Sequence, residues 1–184
     1  PWTPVAIAAP QARRAARGLA RRARDARVLP AGSSLPEAVA LGTLLREPVG
    51  AGPGLVAAIG CDGTGVVALD LASEGPHAIV AGTTGSGKSE LLVSWVLAMS
   101  HGRAPSEVAF LLIDFKGGAA FAPLAGLPHV VATLSDLDPS LARRAVSGLR
   151  AELLRRERAL AEAGASSVDA LRGSIPRLVV VVDE

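Results

Sequence analysis

The stretch that most restricts what this chain can become is "GTTGSGKS" at residues 82–89, set between the apolar run "HAIVA" and the apolar stretch "ELLVSWVLAM". Gly82, Gly85 and Gly87 let the backbone curl until its N–H groups converge, and such a nest at the start of a helix is an anion site. The spacing G-x-x-x-x-G-K-[ST], after a strand and opening a helix, is the P-loop pattern, in which the lysine reaches the β- and γ-phosphates of a nucleotide and the hydroxyl ligates Mg2+. The pattern assigns Gly82, Thr83, Thr84, Gly85, Ser86, Gly87, Lys88, Ser89 and Glu90 to a cradle for ATP and Mg2+, with Ser89 on the metal. Lys88 serves both binding and the charge demand of the reaction.

Lysine usage points the same way. Of nineteen basic residues only two are lysine, Lys88 and Lys116, and both lie beside glycines. A guanidinium is a wide planar fork and an ammonium a compact point charge, so only lysine fits among converging amides.

The second half of the expected site is "LVVVVDE" at residues 178–184. An apolar strand ending in Asp183 supplies a carboxylate that holds Mg2+ through water, and Glu184 is placed to polarise an attacking water. In open α/β sheets ligands bind at the carboxyl ends of strands, which is where both acids fall. A glutamate there favours hydrolysis over transfer to a small acceptor.

Between these motifs the chain alternates strand and helix patterns. "LVAAIG" and "VVALDL" flank "CDGTG" and read as a β-hairpin. Buried strands are expected at "HAIVAG", "EVAFLLID", "HVVATL" and "RLVVVV", with helices from about Gly87 to Ser100 and from Asp138–Pro139 to about Ala163. Asp138 and Pro139 make an N-cap and first-turn pair. Leu141, Ala145, Leu149 and Leu153 recur every four residues, a stripe expected to face the sheet. Strands alternating with helices mean α/β with a mainly parallel sheet and helices on both faces. Trp95 fits a core face, Phe115 and Phe121 are expected to pack under their loop, and the three histidines share no metal-ligand spacing.

Residues 11–30 carry seven arginines against the single Asp25, leaving the rest of the chain mildly acidic. Residues 1–34 are therefore expected to form an arginine-rich helical linker, and no basic surface for nucleic acid spreads over the main domain. One cysteine, Cys61, rules out an internal disulfide framework and fits a reducing compartment.

Taken in order and spacing, "GPHAIVAGTTGSGKSELL", "LLIDFKGG", "LPHV" and "LVVVVDE" resemble the FtsK/SpoIIIE family of P-loop motor ATPases over roughly residues 35–184. "DFKGGAAF" together with "GPH" is most similar to the branch containing the EccC ATPases of type VII secretion and related actinobacterial proteins. The resemblance implies a RecA-like fold in which residues 35–184 are the N-terminal portion of an ATPase domain, truncated after the strand that carries Asp183. It implies a cytoplasmic protein at the inner face of the membrane, acting with other copies of the domain in a ring or tandem assembly. Its regions outside this chain would join a membrane-bound secretion or division machinery. It also implies ATP-driven movement of a polymer, foremost a secreted protein and alternatively double-stranded DNA. Asp114 and Lys116 match the family's D-x-K-G-G segment, which couples the site to a neighbouring subunit or substrate. A non-hydrolysing module clamped by ATP is the reading from a different class, and the chain by itself is expected to be inactive.

Overall fold

The computed structural model describes residues 36, 38–47, 54–62, 65–115, 117, 120–135 and 139–183. The arginine-rich linker, the Asp138 cap, Lys116 and Glu184 lie outside the described residues. Two units partition the chain: Pro1–Ala38 with Cys61–Gly65, and Val39–Gly60 with Val66–Glu184. Of the first, residues 36, 38, 61, 62 and 65 are described; Asp62 N–H donates to Gly65 O at 2.8 Å and Gly65 N–H to Asp62 Oδ1 at 3.0 Å. The second carries the fold that follows.

Its elements are helix α1 (Leu41–Leu44), strands β1 (Val56–Cys61) and β2 (Val66–Asp70), helix α2 (Lys88–Ser100), strands β3 (Val108–Asp114) and β4 (Val130–Ser135), helix α3 (Pro139–Glu162) and strand β5 (Arg177–Asp183). β1 and β2 form a two-stranded sheet, and the main sheet runs β4-β3-β5 with both pairings parallel. The expected α/β architecture with a preceding hairpin is what the chain adopts.

β3 lies in the middle and is the most apolar strand, so it is covered on both faces. Its residues Val108, Phe110, Leu112 and Asp114 share one face and are all but fully buried. Val93, Trp95, Val96 and Met99 of α2 join that face in the core, together with Phe121, Leu124 and Val181. Trp95 is thus a core residue, as its position in an apolar helix predicts. Phe121 is buried, whereas Phe115 stays exposed.

Polar side chains at strand ends tie elements together. Arg103 donates to Met99 O at 2.8 Å and to Val56 O at 2.9 Å, fastening the end of α2 to β1. Glu107 pairs with Arg172 at 2.8 Å, and Arg177 with Asp169. Asp70 accepts the Leu55 N–H at 2.7 Å and the Ser73 hydroxyl at 2.7 Å. Burial pushes the Asp70 carboxyl up, but the Ser73 hydroxyl and the N–H groups of Ala72 and Leu55 outweigh it and leave it below the usual carboxylate range.

Other sequence expectations give way besides Phe115. β4, expected as a buried strand, alternates half-buried and exposed residues with Val131 63% exposed, because as an edge strand it has a neighbour on one side only. "HAIVAG" forms no strand and joins no ladder, and Ile79 is 94% exposed. Along β5 only Val181 and Asp183 are buried, while Val180 and Val182 face outward, the latter 53% exposed. Between residues 76–80 and the open edge of β5 lies a cavity of about 720 Å³, floored by Leu92, Trp95 and Met99. Two apolar segments with strand sequences thus face each other across a gap: among the described residues β5 pairs on one side only, with β3, and residues 77–82 pair with nothing. On α3, finally, Ala145 and Leu149 are half-buried but Leu141 and Leu153 are exposed. Helical drift accounts for this, because a strict four-residue repeat moves around the axis by about 40° per step and leaves the buried stripe.

Candidate functional site

The P-loop residues lead from the irregular segment 77–82 into α2 through a tight turn. Gly85 and Gly87 have φ of 77° and 89°, in the left-handed region where a Cβ is strained. Gly82 meets a different demand, since a Cβ there would sit 2.4 Å from Ser86 Oγ. Gly87 is also the N-cap of α2, and no side chain caps the helix. A glycine in this position leaves the first-turn N–H groups to an external acceptor.

Lys88 is the first residue of α2. Its Nζ donates to Gly82 O and Thr83 O, both at 3.1 Å, so the ammonium lies folded back over the loop. Ser89 follows, and its hydroxyl donates to Asp183 Oδ2 at 2.6 Å across 94 residues of sequence. The contact joins the start of α2 to the end of β5. It brings together the two expected halves of a metal and phosphate site, and the residues present fit Mg2+ with a nucleotide. Glu90 is exposed in the first turn, on the helix but without a described bond to the loop.

Parallel register sets Asp114 opposite Asp183 on neighbouring strands. Partners in register point to the same face, so both carboxylates lie on the α2 side of the sheet. Asp114 is 1% exposed and Asp183 9%. Asp114 Oδ2 accepts the Ala120 N–H at 3.1 Å, and the Phe115 N–H reaches Asp183 O at 3.3 Å. Neither motif by itself encodes this adjacency. The signal was present in "LLID" and "VVVVD", two apolar runs of one sheet that each end on aspartate.

The histidines take structural or exposed places. His129 is buried with Nε2 2.8 Å from Arg103 O, and His77 and His101 are exposed. Among the described residues no group of three or more His, Cys, Asp or Glu could hold a metal ion, and no helix is long and apolar enough to cross a membrane.

Comparison with solved structures finds the cytoplasmic domain of the Thermomonospora curvata type VII secretion ATPase EccC, at a TM-score of 0.66 and 34% identity, over 80% of this chain and 19% of that one. EccC ATPases 2 and 3 from the same organism, solved with a signal sequence peptide, match at 0.64 and 28%, over 85% of this chain and 29% of theirs. Among curated proteins, the type VII secretion system protein EssC of Staphylococcus aureus is 48% identical over 90 residues, 49% of this chain. The ESX-5 secretion system protein EccC5 of Mycobacterium marinum is 39% identical over 131 residues, 63% of this chain. The aligned stretches span 6% and 9% of those two proteins. A family model described as FtsK/SpoIIIE matches residues 51–184, and the chain belongs to the FtsK/SpoIIIE family.

Proposed function

We propose that this chain forms the nucleotide site of an ATP-hydrolysing motor that drives protein export through a type VII secretion-like system. The observation that carries the reading is the 2.6 Å bond from the Ser89 hydroxyl to Asp183, which joins the P-loop helix to the acidic end of β5. In a nucleotide-bound site Ser89 and Asp183 would hold Mg2+. Bound there, Mg2+ would supply positive charge to offset that of the phosphates. The loop from Gly82 to Gly87 and the uncapped start of α2 offer N–H groups to phosphate. Lys88 leaves the carbonyls of Gly82 and Thr83 for the phosphates, exchanging two neutral acceptors for charged ones. Glu184, next in the chain after Asp183, accepts a proton from the attacking water.

Export as the task is supported by the kinship with EssC and EccC. One EccC relative was solved with a signal sequence peptide, which makes a secreted protein the cargo of choice here. Other copies of the domain, in a ring or in tandem, would complete the motor, and a membrane-bound secretion machinery would hold it at the inner face of the cell membrane.

Two substitutions test the site. Lys88→Ala should lose ATP binding, and Glu184→Gln should bind ATP and fail to hydrolyse it. Wild-type turnover in Glu184→Gln removes that residue from its role. ATPase activity stimulated by double-stranded DNA, with the steep salt dependence of phosphate contacts, would replace protein by DNA as cargo. ATP held for hours without turnover by the wild-type protein would favour the clamped module.

A further inference from the structure

We infer that Asp114 is a positioning residue for Asp183, and that it acts through the backbone at the carboxyl end of the sheet. The inference rests on the nucleotide reading above and extends it to a residue that touches neither phosphate nor metal in that scheme.

Asp114 closes the central strand, with Asp183 as its register partner on one side and Ser135 on the other. A carboxylate only 1% exposed is costly to bury, so what it binds matters. It accepts the Ala120 N–H at 3.1 Å, six residues on, which ties Ala120 to the end of β3. Next after Asp114 comes Phe115, whose N–H reaches the carbonyl of Asp183 at 3.3 Å. That is the last rung of the ladder on β5, and it bears on the residue whose carboxylate receives the Ser89 hydroxyl at 2.6 Å. One continuous path therefore runs from Ala120 N–H through Asp114, Phe115 N–H and Asp183 to Ser89. Without the acceptor at 114 the tie between Ala120 and the end of β3 is lost, Phe115 loses its alignment, and the end of β5 frays where Asp183 must be held. Carboxylates that serve a metal are usually held by outer groups whose removal costs about 10–100-fold in metal affinity.

The test measures how much Mg2+ half-saturates the tightening of a fluorescent ATP analogue, with affinity in EDTA as the reference. In Asp114→Ala the affinity in EDTA should stay within about twofold of wild type, while the Mg2+ midpoint rises about tenfold or more. Asp114→Asn keeps an oxygen that accepts the Ala120 N–H, and its midpoint should stay within about threefold. A merely structural role would weaken both conditions together. If Asp114→Ala does not fold, Ala120→Pro removes the donor, leaves the carboxylate in place and should show the same shift. An unmoved midpoint on loss of either partner, or an Asn variant shifted as far as the Ala variant, overturns the inference. Nucleotide binding that survives Lys88→Ala overturns the nucleotide reading itself, and this inference with it.

Discussion

Breaking the Ser89–Asp183 contact isolates the link between the two halves of the site, and a double-mutant cycle measures it. The bond is short, at 2.6 Å, its acceptor is a carboxylate 9% exposed, and it ties α2 to β5 over 94 residues. Hydrogen bonds to charged groups contribute about 1.5–3 kcal/mol net, twice the neutral kind. Ser89→Ala alone removes the donor and strands a buried carboxylate, so it should cost that full amount. Asp183→Ala costs less, because it also removes the burden of burying the charge and relieves Asp114 of a like-charged neighbour in register. The double variant should therefore be less destabilised than the sum of the singles by about 1.5–3 kcal/mol. Urea unfolding of the four proteins in EDTA reads this directly. At this chain length about 2 kcal/mol also corresponds to a shift of ~4–8 °C in thermal midpoint. Costs that add to within about 0.5 kcal/mol, the range found for independent sites, would refute the view that this bond holds the site together.

Further outcomes follow from other parts of the structure. Gly87→Val forces a β-branched side chain to φ of 89°, a strain of about 1–2 kcal/mol at the helix entry, and should abolish ATP binding in equilibrium dialysis. Retained affinity would show that the turn tolerates another path. Hydrogen bonding from Arg155 and then Arg156, against opposing burial, lowers the Glu152 carboxyl from 4.5 to about 2. Its folded value lies below its unfolded one, so its contribution is present above about pH 4.5 and fades as pH falls toward 2. Melts of wild type and Glu152→Gln should differ at neutral pH by less than about 1 kcal/mol, as for exposed pairs, and converge near pH 2; a gap constant with pH counts against this. The open edge of β5 presents exposed Val180 and Val182, a template for pairing with other chains. Replacing both by lysine should raise the monomer fraction in sedimentation velocity, and unchanged self-association would place the contact elsewhere.

Local chemistry determined a good part of this protein. The glycines and Lys88 of residues 82–89 specify a turn and an anion site within a few residues. The hairpin of β1 and β2, helix α2 and strands β3 and β5 follow from periodicity over a single turn or pleat. Which of these elements touch was decided only in three dimensions. Ser89 and Asp183 stand 94 residues apart and meet because β5 pairs with β3 in one particular register. That same register sets Asp114 beside Asp183, a neighbourhood that neither strand's own pattern encodes. Burial is also non-local, since it depends on what lies opposite. "HAIVAG" and "RLVVVV" read alike as buried strands, yet Ile79 and Val182 face an open gap, and of two loop phenylalanines six residues apart only Phe121 is covered. Propensity is a property of the segment. Exposure and register belong to the partner across from it, and a site built from strand ends inherits its geometry from those partners.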